Sequence, residues 1–146
     1  MIIYLDTCCI QRPLDDKSQL RIRLESEAIL GIFDYFESGK VQIVSSDVLC
    51  FETERNPNEI RKQFAVEVLS EANNHLLLTD KIEKKAKLYE KEGVKSLDAL
   101  HLATAVEAKV DYFCTCDDEL LKKAKKAETG KITVISPTKL ISEIEK

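Results

Sequence analysis

At 146 residues the chain has the length of one compact domain, 1–146, and is too short for two well-buried ones. Its 44% hydrophobic and 33% charged residues exclude a disordered or fibrous chain. No apolar run approaches the roughly 18 residues of a membrane helix, and no basic, apolar leader opens the chain, so a cytoplasmic protein without a membrane partner is expected.

Ile2-Ile3-Tyr4-Leu5 is a short, continuously apolar, β-rich run ending at Asp6, the pattern of a strand buried on both faces. From about Leu20 to Phe36 the residues Leu24, Ala28, Ile29, Ile32, Phe33 and Phe36 recur at helical spacing, with Gly39 as terminator. Val41 to Val44 reads as a second strand. Ser45, Ser46 and Asp47 offer capping oxygens to a short helix carrying Leu49, Phe51 and Glu52. Asn56-Pro57-Asn58 breaks the chain before a helix from Ile60 to about Ser70, and His75 to Leu78 reads as a short strand. Asp80 caps a helix through Tyr89 that Gly93 closes, and Ser96 opens another to about Lys109. Asp111 to Cys116 is an apolar strand, Asp117 opens a lysine-rich helix, Ile132 to Ile135 is a last strand and Pro137 begins a terminal helix. Alternating strands and helices predict an α/β fold with a parallel sheet covered on both faces. In such sheets the chemistry collects at the carboxyl ends of the strands.

Three acids fall on that edge: Asp6 after the first strand, Glu52 after the second and Asp117 after the Asp111–Cys116 strand. The fourth, Asp98, is the odd member of Ser96-Leu97-Asp98-Ala99-Leu100-His101-Leu102-Ala103-Thr104-Ala105-Val106, a helix apolar around most of its circumference. A carboxylate near the start of a buried helix needs a partner. Singly, each acid has an ordinary reading: Asp98 complements a helix dipole, Asp117 caps a helix, Asp6 turns the chain and Glu52 is a solvated surface acid. Their convergence is what points to function. Carboxylates held together repel unless a cation neutralises them, and all-oxygen ligation selects hard ions, Mg²⁺ or Mn²⁺.

The net charge of -4 has the wrong sign for gripping nucleic acid by bulk electrostatics. It suits clustered carboxylates, because their bound cations restore local attraction for phosphate. The cysteines Cys8, Cys9, Cys50, Cys114 and Cys116 are odd in number and lie in apolar segments. Neither close pair has the two-residue gap of a common zinc knuckle, so they read as reduced, small buried hydrophobes.

Tyr4-Leu5-Asp6-Thr7, Ser46-Asp47-Val48-Leu49-Cys50-Phe51-Glu52, Leu97-Asp98-Ala99-Leu100-His101-Leu102-Ala103 and Thr115-Cys116-Asp117 resemble, in order, the four acidic motifs of PIN domains. The resemblance runs from Ile2 to about Ile135. It implies a three-layer α/β/α fold with strand order 3-2-1-4-5, and a metal-dependent endoribonuclease with Asp6, Glu52, Asp98 and Asp117 as catalytic and metal-binding residues. Similarity to the small single-domain members further implies the toxin of a toxin-antitoxin pair, a small antitoxin partner and a homodimer. Glu54 rivals Glu52 and Asp118 rivals Asp117. Two residues apart on a helix point in roughly opposite directions, so Glu52 and Glu54 cannot both face the site.

One or two ions would hold the phosphodiester of an RNA substrate and lower the pKa of a bound water for in-line attack. Thr7, Thr115 and Asp118 are candidates for supporting contacts, and Arg12, close after the first strand, for a substrate phosphate. Lys122, Lys123, Lys125 and Lys126 read as a solvated helix face, and His101 as a histidine packed within its apolar helix. Two other readings compete: a non-catalytic PIN-like module binding RNA or protein, and another phosphoryl-transfer α/β enzyme. The latter families commonly want a second acid two residues after the first, where this chain has Cys8.

Overall fold

The computed structural model describes residues 1–146. Strands β1 (Ile2–Leu5), β2 (Gln42–Ser46), β3 (Asn74–Leu76), β4 (Tyr112–Cys114) and β5 (Thr133–Ile135) form an all-parallel sheet of order 3-2-1-4-5. The helices are α1 (Thr7–Gln11), α2 (Leu20–Glu37), α3 (Asp47–Glu54), α4 (Glu59–Ser70), α5 (Asp80–Lys91), α6 (Ser96–Ala108), α7 (Asp118–Ala124) and α8 (Pro137–Ile144). They flank the sheet as the expected three-layer α/β/α arrangement, with α2 packed on α8 and α5 on α6. None of them is long and apolar enough to cross a membrane.

β1 is central, with Ile3 paired to Ile43 on one side and to Tyr112 on the other. A strand enclosed in this way can carry no solvated face, which explains why Ile3, Tyr4 and Leu5 are all wholly buried, with Tyr4 offering a single hydroxyl at its tip. Helix α5 buries only Ile82, Ala86 and Tyr89, one stripe of an otherwise charged helix. Helix α6 differs: Ala99, His101, Leu102, Ala103, Thr104 and Ala105 are all buried, so it lies inside the molecule and orients Asp98 rigidly.

Several boundaries depart from the sequence reading. β2 runs through Ser46, which ends the strand and also caps α3 by accepting from Leu49 N. β3 begins at Asn74, β4 stops at Cys114, and Thr79 rather than Asp80 caps α5. Helix α1 and the 3-10 turn Arg12–Leu14 were not anticipated at all. Five residues are too few to show a helical period, and α1 forms because Asp6 caps it by accepting from Thr7 N.

Candidate metal centre at the carboxyl edge of the sheet

Strand order places the ends of β1, β2 and β4 side by side, and the polar residues that follow them meet there. Asp6 is only 6% exposed. Its Oδ1 accepts from Thr7 N at 2.8 Å, and its Oδ2 accepts from Thr115 Oγ1 at 2.9 Å and from Cys8 Sγ at 3.4 Å. Burial, reinforced by the charges of Cys8 and Glu52, pushes the Asp6 carboxyl up to about 7 against the pull of His101 and Thr115.

Asp98 is half-buried in the first turn of α6. Burial and then the charges of Asp6 and Asp117 push it up to about 6. Asp98 and Asp117 face one narrow cleft between α6 and α7. Lys95 and Lys123 line that cleft too, yet neither pairs with an acid, and no Lys or Arg makes an ion pair with Asp6, Asp98 or Asp117. Asp117 caps α7 through Oδ1, which accepts from Glu119 N at 2.9 Å and Leu120 N at 3.2 Å, and leaves Oδ2 without a partner. Asp98 thus sits in the field of Asp6 and Asp117 with no Lys or Arg paired to any of the three.

Glu52 comes from α3 and is held differently. His101 Nε2 lies 2.8 Å and Thr7 Oγ1 2.6 Å from its Oε1. Burial raises the Glu52 pKa, but these two donors outweigh it and hold the carboxyl below its ordinary range. Because Glu52 is ionised it can only accept, so His101 carries its proton on Nε2 and accepts at Nδ1 from Tyr4 Oη, 2.6 Å away. Tyr4 Oη in turn accepts from Ser46 Oγ at 2.8 Å, and Ser46 Oγ accepts from Leu49 N at 3.0 Å. A buried chain of donors therefore runs from the start of α3 through β1 and α6 to Glu52. Sequence reasoning placed His101 in the packing of its helix; it is buried there at 1% exposed, with both ring nitrogens also engaged. The available signal was its position one turn after Asp98, which alone could not supply Tyr4 or Glu52.

The rivals separate by their partners. Glu54 is exposed on the far side of α3 and lines a different cleft with Ser45, Cys50 and His75. Asp118 is gripped by Arg21, whose Nη1 and Nη2 lie 2.7 and 2.8 Å from its two oxygens, and this holds it below its ordinary range. Arg12 is likewise committed, with Nη1 2.8 Å from Asp15 and Nη2 3.1 Å from Glu25. Its guanidinium spans the 3-10 turn and α2 instead of projecting free into solvent.

A wider cleft lies elsewhere, lined by Lys81, Lys85, Lys109 and Lys131. Its two acids are already used, Glu107 by Lys81 and Lys85 and Asp111 by Ile2 N. At the sheet edge, Asp6, Glu52 and His101 present potential ligand atoms all within 4.8 Å of one another. His101 Nε2 is spent on Glu52, so oxygen is the donor the edge has to offer, and that set fits a hard divalent cation.

Comparison with curated protein sequences gives no match. Among solved structures, the chain resembles one described as VapBC2 from Rickettsia felis bound to a DNA fragment from their promoter, with a TM-score of 0.60 and 12% identity over 93% of this chain and 98% of that one. At that identity the likeness speaks for the fold alone. A family model described as PIN domain matches residues 3–126, a span that contains all four acids and most of the sheet, from β1 to β4. The chain belongs to the PIN-domain family.

Proposed function

We propose that this chain, acting as one domain in the cytoplasm, is a metal-dependent endoribonuclease whose site is Asp6, Glu52, Asp98 and Asp117. The observation that carries this reading is that burial pushes Asp6 and Asp98 up together, Asp98 also through the charges of Asp6 and Asp117, while no Lys or Arg forms an ion pair with any of the three. Such acids cost stability unless a cation joins them, and their oxygens suit Mg²⁺ or Mn²⁺. A bound ion of this kind supplies Lewis-acid activation of water and neutralises phosphate charge.

The chain's own residues do the positioning. The Thr7 amide and Thr115 hydroxyl orient Asp6, while α7's first amides hold Asp117 through Oδ1 and leave its Oδ2 without a partner. His101 and Thr7 keep Glu52 ionised and leave its Oε2 open for a cation or an attacking water. Burial of Asp6 and rigid placement of Asp98 on α6 hold these oxygens before substrate arrives, so little reorganisation is left for the reaction step. Asp118, through Arg21, ties the start of α2 to the rim of the site.

A VapBC assembly among the structural neighbours supports a further reading, in which this chain is the toxin of a pair and a small antitoxin covers the acid edge. A homodimer belongs to the same proposal. The test is cleavage of single-stranded RNA, with single-stranded DNA in parallel, in EDTA, Mg²⁺ and Mn²⁺, by wild type and by Asp6→Asn and Asp98→Asn. RNA cleavage that needs the ion and vanishes in both variants supports the proposal. Cleavage indifferent to chelator and to both substitutions refutes the metal chemistry, and absence of cleavage by the wild type under every condition favours a non-catalytic binding module.

A further inference from the structure

We propose that Cys8, Cys9 and Cys116 form a second metal site, for a thiophilic d10 cation such as Zn²⁺ or Cu⁺, immediately behind the acid edge. Their three Sγ atoms all lie within 4.8 Å of one another, and the Cys9–Cys116 separation is 3.6 Å. A metal–sulfur distance of about 2.3 Å places sulfurs about 3.8 Å apart in a tetrahedral site and about 4.0 Å apart in a trigonal one. The unliganded cluster therefore needs adjustments of a few tenths of an ångström at the closest pair. Cys114 Sγ, 3.8 Å from Cys9 Sγ, stands behind the trio as a further sulfur. All of these cysteines are free.

The spacing in sequence hides the cluster because its ligands come from two elements. Cys8 and Cys9 open α1 just beyond β1, and Cys116 lies just beyond β4, the strand hydrogen-bonded to β1 with Leu5 beside Cys114. A two-residue gap is the mark of ligands on one turn, whereas here the parallel register supplies the convergence. Cys116 N donates to Cys8 Sγ at 3.4 Å, so a backbone amide already points at one of the cluster's sulfurs. Cys8 is only partly buried and gives an ion its route in from solvent, while Cys9 and Cys116 are buried. Each ligating thiol would release its proton to water on binding.

Two measurements on reduced protein with Mg²⁺ present test this. Titration with Cd²⁺ should raise a sulfur-to-metal charge-transfer band in the ultraviolet that saturates at one equivalent per chain. Cys116→Ser should abolish it, and Cys50→Ser, on α3 and outside the cluster, should leave it intact. X-ray absorption on the wild-type one-to-one zinc complex should show sulfur at about 2.3 Å. Only oxygen or nitrogen neighbours around zinc, or a cadmium band that survives Cys116→Ser, would overturn the site. The absorption measurement needs no variant, so it decides the matter even if Cys116→Ser fails to fold. Carboxylates give no such band, so the result stands apart from the fate of the acid site.

Discussion

Replacing Asp6 by Asn should stabilise the metal-free protein at alkaline pH, because the fold holds this carboxylate at a cost. Its pKa rises from 3.8 to about 7 on folding, chiefly through burial. Between those values the folded chain keeps a proton that the unfolded chain has lost, so stability falls as pH rises through that window and the full penalty stands above pH 7. At 1.36 kcal/mol per pH unit the penalty is about 4 kcal/mol. Asp98, raised to about 6, adds in the same direction; it is half-exposed and raised partly by Asp6 itself, so the two contributions overlap. Asn at position 6 still accepts from Thr7 N and can donate to Thr115 Oγ1, so the main change is loss of charge. In EDTA, urea denaturation should show Asp6→Asn about 2–4 kcal/mol more stable than wild type at pH 8, and nearly equal to it at pH 4. Mg²⁺ at a hundred times its dissociation constant should restore about 2.7 kcal/mol to the wild type at pH 8 and nothing comparable to the variant. A variant no more stable than wild type at pH 8, or an advantage independent of pH, would refute the reasoning.

Tyr4→Phe keeps the ring stacked on Phe113 at 5.3 Å but leaves buried His101 Nδ1 without its donor. It should cost about 1–3 kcal/mol in equilibrium denaturation, and should change the His101 tautomer signature in nitrogen NMR; an unchanged ring would show that Tyr4 does not set the tautomer. Leu102→Ala empties a fully buried position on α6 and should cost about 2–5 kcal/mol, read as a lower denaturation midpoint at unchanged slope. Lys109 ends α6 at φ 56°, where a side chain is strained, so Lys109→Gly should gain about 1 kcal/mol, and a loss of stability would show that its side chain matters more than its backbone.

Much of the architecture is already written in local pattern. The continuously apolar β1 can only be a strand enclosed on both faces, and the nearly unbroken apolar surface of α6 marks a buried helix in which Asp98 is out of place. Elements too short for a period, such as α1 and the 3-10 turn, escape this kind of reading, since their formation depends on one cap and one proline. The preference for Glu52 over Glu54 came from the resemblance to PIN motifs, since periodicity does not separate them. Both sit on one short helix, and in the fold the neighbours His101 and Thr7, 49 and 45 residues away in the chain, single out Glu52.

Sequence alone therefore determined the strands and the longer helices, the parallel class of the sheet and the four acids worth watching, because periodicity and residue chemistry act over a few neighbouring positions. Tertiary structure decided what those acids experience. Parallel pairing of β1 with β4 sets Thr115 against Asp6 and gathers Cys8, Cys9 and Cys116 behind it, while burial of α6 brings His101 to Glu52 and Asp98 into the field of Asp6 and Asp117. Electrostatic energies and ligand geometry depend on distances through space, and those distances exist only once the strands have been ordered.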